Sequence, residues 1–310
     1  MGEIESVLVV GAGAVGAAVA GIIQDALPGS VSVLADSARA ERFRSEGFAL
    51  NGRRLDFPIA PAGVAPGAGA EPDLIIVAVK CHHLPRAIED MVPYVGPGTL
   101  VLSLLNGITS EDDLSAAFGR EKVPYAMILG IDALRDGNEV SFSSAGRIHF
   151  GDARNRSGAR SERVSRIASL FDRTGLRYEV PEDMIRALWY KFMINVGVNQ
   201  ASAVLRADYR AFQELPEARE VMESAMREVV AVSKALGTGL VDSDVDAWYG
   251  TLRTMSPDSK TSMLQDVEAH RKTEVEAFAG MVVELGKKTG VSTPVNRLLF
   301  DLIRTIEKRY

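Results

Sequence analysis

Five residues near the start of the chain, SVLVV (6–10), run straight into three glycines, Gly11, Gly13 and Gly16, and a small-residue helix follows over 14–26. A short apolar run stopped by a glycine turn suits a buried parallel strand. The first glycine allows the tight turn, the second lets a pyrophosphate approach the backbone, and the third lets helix and strand pack closely. The helix N-terminus offers open N–H groups and a partial positive charge to that phosphate. The stretch Gly11, Ala12, Gly13, Ala14, Val15, Gly16 therefore predicts a dinucleotide site. The plain alternative, a glycine turn without a ligand, leaves the strand before it and the helix after it as coincidences.

The same region, VLVVGAGAVGAAVAGII (7–23), carries no charge and could pass for a signal-peptide core or a short membrane span. Glu3 and Glu5 put the wrong sign in front of a signal peptide. The run is also rich in Gly and Ala and marginally short for a span.

Further strands are expected at SVSVL (30–34), DLIIVAV (73–79) and TLVLSLL (99–105), with a helical LPRAIEDMVPYV (84–95) between the last two. Alternating strands and helices in this order specify an α/β, doubly wound parallel sheet of the Rossmann type. NEVSFSSAGRIHFGD (138–152) has hairpin character and is expected at that sheet's far edge. A helix over 161–173 and a strand near 177–180 would close the first domain. After Pro181 the strand signals vanish. Pro216 opens a helix with Met222, Met226, Val229, Val230 and Leu236 at helical spacing and Gly237 as its cap. VEAFAGMVVELGKKTG (275–290) repeats the pattern and ends at Gly286 or Gly290. A length of 310 residues exceeds what one hydrophobic core usually serves. The expected division is a dinucleotide-binding domain at 1–181 and an all-helical domain at 182–310.

Lys+Arg number 35 against Asp+Glu 41, a net charge of −6 with no basic block, so neither nucleic acid nor an anionic membrane finds an electrostatic footprint. Cys81 is the single cysteine, which excludes a disulfide framework within one chain and fits a reducing, cytoplasmic setting. Four histidines (82, 83, 149, 270) lack metal-ligand spacing, and no metal is expected. Asp36 stands 20 residues past Gly16, at the end of the second strand. A carboxylate there accepts hydrogen bonds from ribose hydroxyls and repels a 2′-phosphate, which favours NAD(H). Arg39 and Arg42, just beyond, could still hold a phosphate.

In the second half, KFMINVGVN (191–199) sets Lys191, Asn195 and Asn199 four residues apart among apolar neighbours. On an α-helix they share a stripe that drifts roughly 40° per step. A solvated stripe is the ordinary reading; the alternative is a set of polar groups facing a ligand.

Taken in order, GAGAVG (11–16), VKCHHL (79–84), NG (106–107), LWYKFMINVGVN (188–199), SMLQDVEAHRKTE (262–274) and TPVNRLLFDLI (293–303) resemble the ketopantoate reductase (2-dehydropantoate 2-reductase) family nearly end to end. The resemblance implies a Rossmann domain followed by a helical domain, and reduction of a small 2-oxo acid, 2-dehydropantoate to D-pantoate, with NAD(P)H, usually NADPH, in a cleft between the domains. Pantothenate biosynthesis is the implied setting. It also implies roles. Lys191 matches the general acid. Asn195 and Asn199 match residues that orient the substrate's hydroxyls. Asn106 matches a contact to lysine and substrate near the nicotinamide. Glu274 matches an acid paired with Lys191 or substrate, Ser262 a contact to the substrate carboxylate, and Lys80 a cofactor contact.

Plain alternatives accompany these matches. Glu274 lies in EAHRKTEVE, where a solvated helix face is the ordinary outcome. Ser262 could cap the helix it begins, Lys80 could end a strand at the surface, and Asn106-Gly107 could be only a turn. Two departures stand out: Asp36 where the family commonly carries a basic residue, and AVLRADYRAFQEL (203–215), with Arg206, Asp208, Tyr209 and Arg210, where a glycine or amide pattern is common. Rival readings are another two-domain dehydrogenase acting on a different 2-oxo or hydroxy acid, and a non-catalytic NAD(P) sensor. The apolar helices of the second half could pack a domain core or a homodimer.

Overall fold

The computed structural model describes every residue except Met1, Gly47, Ala68 and Ser157. The chain forms two compact units, Met1–Met184 and Ile185–Tyr310, where the expected division lay after Pro181.

In the first unit, β1 (Val7–Val10) leads into α1 (Ala14–Ala26) and β2 (Val31–Ala35) into α2 (Ser37–Glu46). Three short strands follow, β3 (Phe48–Leu50), β4 (Arg53–Leu55) and β5 (Ile59–Pro61). Next come β6 (Leu74–Val77) with α3 (Leu84–Met91), and β7 (Leu100–Ser103) with α4 (Ser110–Phe118). The unit ends with β8 (Tyr125–Ile131), β9 (Leu134–Asp136), β10 (Glu139–Ser141), β11 (Ala145–Gly151), α5 (Glu162–Thr174) and β12 (Tyr178–Glu179).

Five strands form the parallel sheet in the order β5-β2-β1-β6-β7. The chain steps outward from β1 to β2 and later returns to lay β6 on the other side of β1. The strand order thus reverses between β1 and β6, and the crevice outside the carboxyl ends at such a point is where doubly wound sheets bind ligands. Alternation within the strands explains the layering. Val7 and Val9 of β1, with Leu74 and Ile76 of β6, face Val19, Ile23 and the α5 residues Ile167 and Phe171. Leu8, Val10, Ile75 and Val77 face Leu84 and Met91 of α3 and Leu114 of α4. Both faces are covered, so these strands read as unbroken apolar runs.

The segment 138–152 corrects the expectation that it forms the far edge of this sheet. Its two halves join separate sheets: β10 pairs with β9 and, in parallel, with β3, while β11 pairs with β8 and β12. The break between them falls at 142–144, with a bend at Ser143. Phe48, Leu50 and Leu55 close a small core against Val140 and Ala17 of α1. These partners are far apart in sequence, and that is why a local pattern did not place them.

The second unit is helical: α6 (Met184–Ile194), α7 (Gln200–Leu205), α8 (Tyr209–Glu214), α9 (Pro216–Leu236), α10 (Ser243–Leu252), α11 (Ser262–Glu268), α12 (Met281–Thr289) and α13 (Pro294–Glu307). Pro216 occupies the first turn of α9, and Gly237 ends it in the left-handed conformation with Thr238 N–H bonded back to the Ser233 carbonyl. Two π-helical turns interrupt the pattern, Asn195–Asn199 and Glu276–Gly280. Among the described residues, no helix is long and apolar enough to cross a membrane.

Candidate active site

The glycine turn shows why each glycine is there. Gly11 sits at φ +98°, and a Cβ on it would meet Val79 Cγ1 at 2.7 Å and the backbone of Ala78. A Cβ on Gly16 would run into the carbonyl oxygen of Gly11 and approach Ala78 Cβ to 3.1 Å. Gly13, the N-cap of α1, is different: a Cβ there would meet nothing within 4 Å, so the turn is open on that side. No side chain caps α1 and no acid lies in its first turn. A bare N-terminus with an open glycine beside it fits the diphosphate of a dinucleotide.

Asp36 follows β2 and borders a cavity with Gly11, Arg39, Ala62, Val79 and His83. Its Oδ1 accepts the backbone N–H of Arg39 at 2.8 Å, and its Oδ2 lies 3.7 Å from Arg39 Nε. The carboxylate therefore caps α2 and already faces a guanidinium. Arg135 on β9 adds a cation that sequence reasoning missed. Its Nη1 donates to the Ala12 carbonyl at 2.6 Å and its Nε to the Gly137 carbonyl at 2.9 Å. Burial, then the charges of Arg42 and Arg39, hold its pKa below the usual guanidinium value. Nothing local in the sequence could connect Arg135 to the glycine turn, because a separate sheet brings it there.

Lys80 and Asn106 follow the adjacent strands β6 and β7. The thiol of Cys81 donates to the Asn106 carbonyl at 3.1 Å and ties the two loops together. Gly107, at φ +98°, makes the turn after Asn106. The four expected cofactor positions thus stand after four parallel strands at one edge of the sheet. In the first turn of α4, Glu111 is buried at 3% exposure; it accepts the Ala126 N–H at 3.2 Å and the Ser110 hydroxyl at 3.0 Å. Burial pushes its carboxyl up to about 7.

In the second unit Lys191 is part-buried on α6, Asn195 is part-buried, and Asn199 is buried at 6% exposure. The expected unbroken α-helix over 191–199 is corrected: Asn195–Asn199 forms a π-turn. The wider turn counters the angular drift of an α-helix, and such single turns are frequent at functional sites. Gly197 lets α9 pack against it, since a Cβ there would meet Met226 Cγ at 2.5 Å and the Met222 carbonyl at 3.0 Å. Glu274 is buried, at 6% exposure, in the non-helical link before the second π-turn, so the solvated-helix reading does not hold. Ser262 is exposed, and the cap of α11 is its neighbour Thr261, whose hydroxyl accepts the Leu264 N–H. Arg206, at φ +54°, terminates α7; Asp208 precedes α8, and Arg210 pairs with Asp258. Gln200 and Asn296, both fully buried and hydrogen-bonded to each other at 3.3 Å, went unrecognised as polar positions in the sequence.

The described residues contain no group of three or more His, Cys, Asp or Glu able to hold a metal ion. The model for ketopantoate reductase PanE/ApbA matches residues 7–155, and the model for its C-terminal domain matches 183–307. The chain belongs to the ketopantoate reductase family. It is 30% identical over 305 residues to a 2-dehydropantoate 2-reductase of Halobacterium salinarum, across 97% of this chain and 99% of that one. A solved PanE/ApbA family ketopantoate reductase from Ralstonia eutropha superposes with a TM-score of 0.84 at 26% identity, covering 98% and 99% of the two chains. A D-mandelate dehydrogenase solved with NADH and anilino(oxo)acetate shares the fold, with a TM-score of 0.86 at 22% identity and 98% coverage of both chains. The family therefore makes this chain an oxidoreductase.

Proposed function

We propose that this chain reduces 2-dehydropantoate to D-pantoate, using NADPH in preference to NADH. The glycine turn with its open Gly13, together with the Lys191, Asn195, Asn199 segment, carries this reading. When bound, the nicotinamide supplies the hydride. The chain's own residues do the rest. Gly11 to Gly16 and the α1 N-terminus hold the diphosphate, and Lys80 and Asn106 border the cofactor after β6 and β7. Lys191 gives its proton to the alkoxide oxygen that forms at C2, because quenching that charge is the main electrostatic demand of the reaction. Asn195 and Asn199 hold the substrate's terminal hydroxyl, Ser262 its carboxylate, and Glu274 keeps an anion beside the lysine.

The cofactor preference differs from what Asp36 suggested alone. Its carboxylate is engaged in capping α2 and in facing Arg39. Arg39, Arg42 and the hairpin residue Arg135 then leave the ribose end of the site with an excess of positive charge, which supports a 2′-phosphate. Leu298 and Leu302, exposed one turn apart on α13, form an apolar stripe suited to a homodimer, for which light scattering would read twice 33.4 kDa.

Parallel titration of NADH and NADPH against 2-dehydropantoate tests the assignment. Turnover with 2-dehydropantoate that exceeds every other 2-oxo acid in a panel supports it. Preference for a different acid moves the substrate within the same reaction, a reading that the unusual 206–210 segment favours. Cofactor binding without oxidation by any 2-oxo acid would leave the sensor reading.

A further inference from the structure

We propose that Gln200 is a positioning residue that locks the two π-turns of the helical unit to each other, and so fixes Lys191, Asn195 and Asn199 relative to Glu274. The inference rests on the reading of those residues as the reductase site.

A π-turn displaces backbone groups from their α-helical partners. In the second turn, the Gly280 N–H takes the Val275 carbonyl at 3.0 Å. That carbonyl would serve Ala279 in an α-helix. The displaced Ala279 N–H instead reaches across to Gln200 Oε1 at 3.0 Å. In the first turn, the Gln200 backbone N–H goes to the Gly197 carbonyl rather than to Val196. The Val196 carbonyl accepts the side-chain amide of the same residue, Gln200 Nε2, at 2.7 Å. One buried amide thus serves a displaced donor of one π-turn and a displaced acceptor of the other.

The amide is itself held. Gln200 Nε2 also donates to Asn296 Oδ1 at 3.3 Å, and Asn296 Nδ2 donates to the Ala225 carbonyl at 3.1 Å and to Glu228 Oε2 at 2.7 Å. Gln200 and Asn296 are fully buried. In such surroundings the amide cannot exchange its partners for water, so its orientation is fixed by the network. Proposed site residues lie in or beside both turns: Asn195 and Asn199 lie within the first, and Glu274, just before the second, accepts at its carbonyl the Ala277 and Phe278 N–H groups that open it.

Gln200→Met and Gln200→Glu, compared in the full-length enzyme, test the role. Methionine fills the space without either hydrogen bond. Glutamate keeps both functions while protonated and loses the donor when ionised. For Gln200→Met, kcat is expected to fall at least tenfold and KM for the 2-oxo acid to rise, with the NADPH Kd within twofold of wild type. For Gln200→Glu, the kcat/KM profile should gain a downward limb with rising pH that wild type lacks, with near-normal rates on its acid side. A Leu252→Ala variant, which opens a cavity at a buried position of α10 away from both π-turns, serves as the control of similarly lowered Tm and should keep wild-type kcat and KM. Wild-type constants in folded Gln200→Met, or an unaltered profile in Gln200→Glu, would overturn the positioning role. If wild type itself reduces no 2-oxo acid, the reductase reading fails first and the inference falls with it.

Discussion

A side chain on Gly16 would collide with the carbonyl oxygen of Gly11, so the opening turn of the first unit admits only hydrogen at that position. Both partners are backbone or near it, and neither can rotate away. Gly16→Ala should lower stability by about 1–3 kcal/mol and weaken binding of NADH and NADPH alike by tenfold or more. Cofactor fluorescence titration with a parallel melting curve would check it; unchanged affinity would remove the turn from the site.

Lys191→Ala should reduce kcat by roughly a hundredfold or more, as expected for loss of a general acid. The NADPH Kd should stay within about twofold of wild type. Stopped-flow hydride transfer and equilibrium titration separate the two effects. Full activity in this variant would end the proposed mechanism.

Arg135→Met removes a cation whose partners are two backbone carbonyls. NADPH affinity is expected to drop about tenfold, near the 1.4 kcal/mol typical of one charge-assisted contact, while NADH affinity holds. An equal loss for both cofactors would mean that Arg135 only braces Ala12.

Glu111 ties the stability of the first unit to pH. Its carboxyl ordinarily titrates near 4.5 and is raised to about 7 by burial. Between those values the folded chain keeps a proton that the unfolded chain has released, so stability falls as pH rises through the window. Glu111→Gln should abolish that loss and gain up to about 3 kcal/mol above pH 7, with little change at pH 4. Urea denaturation at pH 4, 5.5 and 8 reads the difference. A gain independent of pH would contradict it.

Most of the parallel sheet was legible because its strands are buried on both faces and read as apolar runs closed by turns. Gly11 to Gly16 announced themselves through spacing. The short strands at 48–61, whose partners include residues near 140, were not legible, and neither was the fate of 138–152, since pairing across so many residues leaves no local period. Arg135 was hidden for the same reason. The stripe of Lys191, Asn195 and Asn199 was visible, yet its π-turn was not, because four-residue spacing fits either winding. Glu274 looked solvated by composition and is buried by the links around it. Gln200 passed unnoticed as one more polar residue beside an asparagine.

The parallel pairing of Ala49 and Leu50 with Glu139 and Val140 orders the birth of this unit on the ribosome. The N-terminal strand, the glycine turn and its helix emerge first, but the ribbon that shields Ala17 must wait for residue 140 to leave the exit tunnel. Until then Phe48, Leu50 and Leu55 lack their last lid, and the nascent chain carries a sticky flap. Slowing translation before residue 140 has cleared the tunnel should therefore prolong chaperone engagement, whereas slowing it after that point should not.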